Sequence, residues 1–222
     1  LLMKTKTKAF IFDLDGVIVD TAKFHFQAWK RLANGLGIDF DHEQNEQLKG
    51  VSRVNSLKKI LDWGNTSVSE EEFIQLMDKK NEDYLTYVDA MDESEILPQV
   101  KEKLQLLKDN NIPIALGSAS KNARRILDKI NLTPFFDEIV DGTNVTKAKP
   151  DPEVFLVGAE KLGAQPEYCV VFEDSIAGIQ AANNAQMTSI GIGQKNVLNQ
   201  ADHTFQDFTE ISDEFLIKLA RI

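Results

Sequence analysis

The apolar positions in the first part of the chain follow two different periods. A short continuous apolar run over residues 8–12 predicts a buried strand that stops abruptly at Asp13. Apolar residues spaced three and four apart then predict helices over residues 21–36, 43–48, 54–61 and 69–88. The pattern therefore predicts one strand followed by an all-helical segment.

After Met91 short apolar runs begin to alternate with helical patterns. Predicted strands cover residues 112–116, 138–140, 169–172 and 188–192, and predicted helices cover residues 98–108, 122–130, 152–162 and 176–184. Such alternation is typical of a parallel sheet covered by helices on both faces. We therefore predict an α/β fold in which residues 1–19 and 93–222 form a Rossmann-like core and residues 20–92 form an inserted helical-bundle cap.

Composition and charge narrow the class of partner. With 222 residues, 42% of them hydrophobic, the chain can bury a substantial core. A formal charge of −10 argues against a surface for nucleic acid or anionic membrane, because both need dense Lys and Arg. Cys169 is the only cysteine, so no internal disulfide can form, and the sequence shows no signal-peptide pattern or membrane-length apolar run. We expect a cytoplasmic monomer that acts on a small molecule.

Chemically active side chains follow several predicted strands. Asp13 and Asp15 end the first strand, Ser118 follows the second, and Glu173 and Asp174 end the fourth. Lys149 lies in the loop before another predicted helix. Because ligands in open α/β sheets bind beyond the carboxyl ends of the strands, we expect these groups to converge on one edge of the sheet.

Crowded carboxylates need a compensating cation, and their oxygens are the ligands that Mg²⁺ prefers. Asp13, Asp174 and Glu173 are the candidate protein ligands, and Lys149 adds a second positive charge. The ion would reduce the repulsion between an attacking carboxylate and a phosphate. Asp13 then suits a covalent nucleophile that forms an aspartyl phosphate, and Asp15 suits a general acid and base.

These residues also carry a family resemblance. Residues 12–17, Phe-Asp-Leu-Asp-Gly-Val, resemble the signature of haloacid dehalogenase-type phosphotransferases, and Ser118, Lys149 and the Glu173-Asp174 pair match the other motifs of that superfamily in order. Within it, the 49–53 and 118–122 segments, together with Thr21, His25, Trp29 and the Lys80-Asn81 pair, resemble the β-phosphoglucomutase family. The resemblance spans residues 8 to about 193.

The resemblance implies the interconversion of β-glucose 1-phosphate and glucose 6-phosphate through a β-glucose 1,6-bisphosphate that primes the reaction. It implies that Mg²⁺ is held by Asp13, Glu173, Asp174 and the Asp15 carbonyl, that Ser118 and Lys149 hold the transferring phosphate, and that four residues bind the distal phosphate. The full set of implied substrate-binding residues is Thr21, His25, Trp29, Lys49, Gly50, Val51, Ser52, Arg53, Lys80, Ser118, Ala119, Ser120, Lys121, Asn122 and Lys149, of which Arg53, Ser120, Lys121 and Asn122 form the distal group.

Simpler interpretations remain open at several positions. Glu173, Asp174 and Ser175 suit the N-terminus of the following helix, and both roles can hold together. His25 lies on an apolar helical face where a packed histidine is common, and Lys80 lies in a charged helix where a solvated lysine is common.

Two other functions compete with the mutase. One is a Mg²⁺-dependent sugar-phosphate phosphatase on the same scaffold, in which water discharges Asp13. The other is a non-catalytic phospho-aspartate switch, whose usual form lacks a helical insert and a general acid at the position of Asp15.

Overall fold

The computed structural model describes residues 8–221, so the first seven residues of the predicted core segment and Ile222 lie outside the described residues. Its six-stranded sheet has the order β3-β2-β1-β4-β5-β6, and every neighbouring pair is parallel. The strands are β1 (Ala9–Phe12), β2 (Ile114–Gly117), β3 (Glu138–Val140), β4 (Cys169–Glu173), β5 (Thr188–Ile192) and β6 (His203–Phe205). The predicted α/β class with a parallel sheet is confirmed.

Helices cover both faces of the sheet and form the insert. Those of the insert are α1 (Ala22–Gly35), α2 (His42–Glu46), α3 (Arg53–Trp63) and α4 (Glu70–Asp89). Those of the remaining chain are α5 (Val100–Asp109), α6 (Ala123–Lys129), α7 (Glu153–Lys161), α8 (Ile176–Asn184) and α9 (Asp213–Ala220).

The first strand shows why the sheet is buried on both sides. Successive side chains of a strand point to opposite faces, so Phe10 and Phe12 pack into one hydrophobic cluster while Ala9 and Ile11 pack into another. The Phe12 ring stacks on Phe172 of β4 with 4.6 Å between the ring centroids. β1 therefore lies inside the sheet between β2 and β4, and its carboxyl end leads directly to Asp13 and Asp15.

The insert contains a hydrophobic cluster of its own. Trp29 and Leu32 of α1 pack against Phe40 and against Leu57 and Ile60 of α3. Tyr84 and Val88 near the end of α4 instead join the larger cluster of the sheet. The insert is thus a small helical bundle whose last helix also packs on the core, and its limits at residues 20 and 92 stay a prediction.

Some element boundaries differ from the predicted ones for local reasons. α5 begins at Val100 rather than at Pro98, because Gln99 has a left-handed backbone with φ of 60°. β2 begins after Pro113, which has no N–H to donate to a neighbouring strand. β6 and α9 had no predicted counterpart. Among the described residues, no helix combines the length and the apolar character needed to cross a membrane.

Candidate active site

A cleft of about 650 Å³ lies between the carboxyl ends of the strands and the helical insert. Its lining includes every predicted site residue except Thr21 and Glu173, which lie behind the wall and are fully buried. The two halves of the chain thus meet at one cavity, and the predicted catalytic carboxylates lie on its core side.

Lys149 is the centre of the charge network beneath the cleft. Its side chain is 1% exposed, and its Nζ donates to Asp13 Oδ1 at 2.6 Å and to Glu173 Oε1 at 2.5 Å. Although burial disfavours the charged form, the two carboxylates raise the pKa of Lys149 above its ordinary value. The lysine therefore stays charged and fixes Asp13 at the end of β1.

Glu173 is held from both sides. While Oε1 accepts from Lys149, Oε2 accepts from the backbone N–H and the hydroxyl of Ser175, both at 2.8 Å. Gly178 makes room for this carboxylate, since a Cβ at that position would lie 1.9 Å from the Glu173 Cδ. The Ser175 hydroxyl also accepts from the N–H of Gly178 and caps α8. Both oxygens of Glu173 are thus engaged before any ligand binds.

Asp13 and Asp174, on the core side of the cleft, are buried in surroundings that disfavour their negative charge. Burial, together with the charges of Glu173 and Asp15, raises the pKa of Asp13 to about 7 despite the opposing effect of Lys149. Burial, Glu173 and Asp13 raise the pKa of Asp174 well above its usual value. Two such groups side by side favour the binding of a cation, which would stabilise their ionised forms.

The donors present fit a magnesium ion with few protein ligands. Within residues 8–221 no group of three or more His, Cys, Asp or Glu side chains is arranged to hold a metal. Lys149 Nζ lies between Asp13 and Glu173, 2.6 Å and 2.5 Å from their oxygens. The Asp15 carbonyl accepts no backbone hydrogen bond from the described residues. Asp174 lies against the turn after it, where a Cβ on Gly16 would be 2.1 Å from Asp174 Oδ2. Asp174 Oδ2 thus lies beside the residue that follows Asp15, and its charge and that of Asp13 affect each other. Mg²⁺ commonly completes a small set of carboxylate and carbonyl ligands with water and phosphate oxygens.

Asp15 belongs to a separate network that reaches the insert. Its Oδ1 accepts a hydrogen bond from the Thr21 hydroxyl, and His25 Nε2 lies 3.8 Å from the same oxygen. Burial raises the pKa of Asp15 even though the Thr21 hydrogen bond and the nearby lysines oppose the shift. The raised pKa favours the protonated form of Asp15, which suits a general acid. Thr21 precedes α1 but makes no side-chain cap there, so its hydroxyl serves Asp15 instead.

Lys80 is buried rather than solvated. Its side chain reaches into the wall of the cleft, where Nζ lies 3.0 Å from His25 Nδ1 and 4.6 Å from the centroid of the Trp29 ring. Burial and the charge of Arg53 lower the pKa of Lys80 to about 7, while Asp15 opposes the shift. When Lys80 is charged its ammonium can only donate, so Nδ1 of His25 then accepts. Burial also lowers the pKa of His25 well below its usual value. Trp29 lies behind Lys80, with 3% of its surface exposed.

The loop between α2 and α3 brings the insert onto the core. Gly50 has φ of 71°, and a Cβ there would lie 2.7 Å from the Ser175 hydroxyl oxygen of the core. Lys49 Nζ lies 3.7 Å from Asp174 Oδ2 and 2.8 Å from Glu46 Oε2. Val51 and Ser52 continue the wall, and the Ser52 hydroxyl caps α3 by accepting from the N–H of Asn55.

On the core side, the 118–122 segment forms a compact turn at the end of β2. The N–H of Ser120 donates to the Ser118 hydroxyl at 3.1 Å, and the N–H of Asn122 donates to the Ser120 hydroxyl at 3.2 Å. Ala119 and Lys121 also line the cleft. The turn presents hydroxyl, amide and ammonium groups toward the insert, which suits the recognition of an anion.

Several residues that line the cleft were absent from the predicted set, among them Asn81, Tyr84 and Lys147. Asn81 joins Arg53 and Asn122, Tyr84 stacks on His25 with 4.2 Å between the ring centroids, and Lys147 lines the rim. Tyr84 follows Lys80 by four residues on α4, so helical spacing could have placed it on the same face. Asn81 follows Lys80 directly in the sequence, and this position could have predicted its place in the cleft. No sequence pattern pointed to Lys147.

Known proteins are similar to this chain in sequence and in fold. The family model for haloacid dehalogenase-like hydrolases matches residues 7–186. A β-phosphoglucomutase of Bacillus subtilis is 42% identical over 211 residues, which cover 94% of this chain and 93% of that protein. A phosphorylated carbohydrates phosphatase of Thermotoga maritima is 31% identical over 82% of this chain and 83% of its own length. The crystal structure of a β-phosphoglucomutase from Clostridium difficile matches with a TM-score of 0.92 and 42% identity, over 96% of both chains.

Proposed function

The chain belongs to the haloacid dehalogenase-like hydrolase family, and within that family we propose that it is an isomerase that interconverts β-D-glucose 1-phosphate and D-glucose 6-phosphate. The observation that carries the proposal is the pairing of two differently held aspartates in one cleft. Asp13 is fixed by Lys149 at 2.6 Å, whereas Asp15 accepts from Thr21 and has a raised pKa. One carboxylate is thus placed as a nucleophile and the other as a proton carrier.

The reaction consists of two phosphoryl transfers. A carboxylate oxygen of Asp13 attacks the phosphorus of β-glucose 1,6-bisphosphate, the P–O bond to the sugar breaks, and Asp15 donates its proton to the leaving sugar oxygen. Asp15 next removes the proton of a hydroxyl of the incoming sugar phosphate, and that oxygen takes the phosphoryl group from Asp13. The bisphosphate formed in this way can turn and react at its other end.

The residues around the proposed phosphate sites have distinct roles. Lys149, with the Ser118 hydroxyl, holds the transferring phosphate, and Glu173 keeps Lys149 in place through their 2.5 Å contact. Asp13, Asp174 and the Asp15 carbonyl would hold Mg²⁺, which when bound neutralises the charge between the attacking carboxylate and the phosphate. The prediction that Glu173 is itself a ligand stays a prediction, and its hydrogen bonds to Lys149 and Ser175 favour an indirect role.

The distal phosphate is proposed to bind where the insert meets the core. Arg53, Ser120, Lys121 and Asn122 line that part of the cleft. The insert covers the place proposed for the sugar and would exclude water, so that a sugar hydroxyl and not water discharges Asp13. This exclusion of water distinguishes a mutase from a phosphatase. A phosphatase is the second candidate, and the Thermotoga maritima relative is a phosphorylated carbohydrates phosphatase.

A coupled assay tests the proposal. The protein receives Mg²⁺, a trace of β-glucose 1,6-bisphosphate and either the β or the α anomer of glucose 1-phosphate, while glucose 6-phosphate and free phosphate are measured in parallel. We expect the β anomer to give glucose 6-phosphate with little free phosphate, the α anomer to give none, and an Asp13→Asn variant to be inactive. Dominant phosphate release from many sugar phosphates would establish the phosphatase instead.

A further inference from the structure

One amide oxygen joins the insert to the core at the mouth of the cleft. Asn81 Oδ1, on α4, accepts from Arg53 Nη2 at 2.7 Å and from Asn122 Nδ2 at 2.9 Å. Arg53 begins α3 of the insert, and Asn122 immediately precedes α6 of the core. Because a guanidinium can only donate, the amide atom that faces Arg53 must be the oxygen. Both lone pairs of that oxygen are then used.

The two donors are the ones that the proposed function assigns to the distal phosphate, and the inference rests on that proposal. A phosphate oxygen could accept from the same guanidinium and the same amide. With Arg53 a phosphate forms an ion pair in place of a bond to a neutral oxygen, and with Asn122 it forms a charge-assisted hydrogen bond about twice as strong as a neutral one, so a phosphate can displace the Asn81 oxygen. The residue at 81 therefore competes with the ligand for the same two donors.

We infer that Asn81 is a positioning residue whose carbonyl oxygen holds Arg53 and Asn122 together until the distal phosphate of a sugar phosphate displaces it. The bridge keeps a cap donor and a core donor at one point in the absence of ligand. A ligand with a phosphate at its far end takes both donors at once and keeps the cap and core joined. A small phosphate that reaches only Asp13 leaves the bridge unchanged.

The neutrality of Asn81 is essential to this role. Burial lowers the pKa of Arg53, and the charge of Asp78, one helical turn before Asn81, opposes that shift without a hydrogen bond to the guanidinium. A carboxylate at position 81 would instead bond Arg53 directly and resist displacement. The acceptor at position 81 is therefore neutral, whereas a carboxylate there would bind Arg53 as the phosphate does.

Binding of glucose 6-phosphate to the full chain, measured by calorimetry with EDTA present, tests the inference. For Asn81→Asp we expect about tenfold or greater loss of affinity, because a carboxylate keeps Arg53 paired. For Asn81→Ala, which removes the acceptor without adding a competitor, we expect a change within about threefold. Gln75→Glu adds the same charge on the exposed face of α4 and should leave the affinity unchanged.

The effect of the aspartate must also depend on Arg53. In an Arg53→Ala background, Asn81→Asp should weaken binding by less than about threefold, since its partner is gone. Equal losses for Asn81→Asp and Asn81→Ala, or a tenfold loss that persists without Arg53, would overturn the inference. Normal binding of glucose 6-phosphate without mutase turnover would instead refute the proposed function, so the two failures are distinguishable.

Amide hydrogen exchange gives a test that does not require the aspartate variant to fold. Without ligand, Asn81→Ala should exchange faster than the wild type in the first turn of α3 and in the 118–122 segment, because the bridge is absent. With saturating glucose 6-phosphate the two proteins should exchange alike, since the phosphate replaces the amide oxygen. A difference that persists in the bound state, or no difference in the free state, would contradict the displacement.

Discussion

Replacing Lys149 by Met removes the one positive charge between two buried carboxylates. The Lys149 ammonium contacts Asp13 at 2.6 Å and Glu173 at 2.5 Å, and the side chains of Lys149 and Glu173 are each 1% exposed. Methionine fills a similar volume without charge. Among residues 8–221, the variant therefore leaves Glu173 with its Ser175 hydrogen bonds alone and leaves the Asp13 carboxylate without a side-chain hydrogen bond.

The expected cost follows from the burial of the pair. Removing one partner of a buried ion pair costs about 3–5 kcal/mol, because the other charge stays desolvated and unpaired. In a chain of this size each kcal/mol lowers the melting temperature by about 2–4 °C, so a decrease of roughly 6–20 °C is expected. The protein can relieve part of the cost by taking up a proton, and the folded state then binds more protons than the unfolded one. The loss should therefore be smaller at pH 5 than at pH 8.

Urea unfolding in EDTA, followed by circular dichroism at pH 5 and pH 8, measures this effect. The matched control is the double variant Lys149→Met/Glu173→Gln, in which the uncompensated charge of Glu173 is removed, and it should recover about 2 kcal/mol or more at pH 8. A loss below about 1 kcal/mol at both pH values, or a double variant no more stable than Lys149→Met, would refute the assigned ion-pair network.

Three further predictions concern catalysis, metal binding and pH. Asp15→Asn should lower kcat by about 10²–10⁴-fold while the far-ultraviolet circular dichroism stays unchanged, and unaltered turnover would remove the acid and base role. Because the pKa of Asp13 is raised to about 7, Mg²⁺ must displace a proton below that pH, so its apparent affinity by titration should be about tenfold weaker at pH 6 than at pH 8. A Mg²⁺ affinity that does not change with pH would contradict the assignment of Asp13 as a ligand. Addition of EDTA should abolish turnover. Lys80 has its pKa lowered to about 7 from an ordinary 10.5, so the unfolded state binds more protons between those values and stability should rise by about 2–3 kcal/mol from pH 7 to pH 9.5. Lys80→Met should lose that rise in urea unfolding, and a rise that persists in the variant would show that other groups cause it.

The sequence could predict the core of the fold because its signals are local. Apolar runs of three to five residues and helical spacing predicted strands β1 to β5, and residues at strand ends then implied a common edge. β6 was missed because its three residues, His203–Phe205, are partly exposed at the edge of the sheet and carry no continuous apolar run. α9 was missed although Ser212 caps it by accepting from the N–H of Phe215. The resemblance on which the prediction relied ended before both elements.

The surroundings of the site residues could not be read from the pattern. Lys80 lies beside Lys79 in a charged helix, and only the three-dimensional arrangement shows that Trp29 and Tyr84 cover it. Thr21 had the position of an N-cap, but its hydroxyl instead bonds Asp15, six residues away. The bridge from Asn81 to Arg53 and Asn122 joins residues 28 and 41 positions apart, so no local signal could reveal it. Local spacing predicts which elements form, whereas contacts between distant segments decide what each side chain does.

The most direct test is to locate the phosphoryl group on the enzyme. The wild-type protein is mixed with β-glucose 1,6-bisphosphate and Mg²⁺, quenched rapidly in acid and analysed by peptide mass spectrometry. We predict a single phosphoryl group on Asp13, absent from the Asp13→Asn variant and lost to glucose 6-phosphate faster than to water. A phosphoryl group on another residue, or turnover with Asp13 unmodified, would contradict the account.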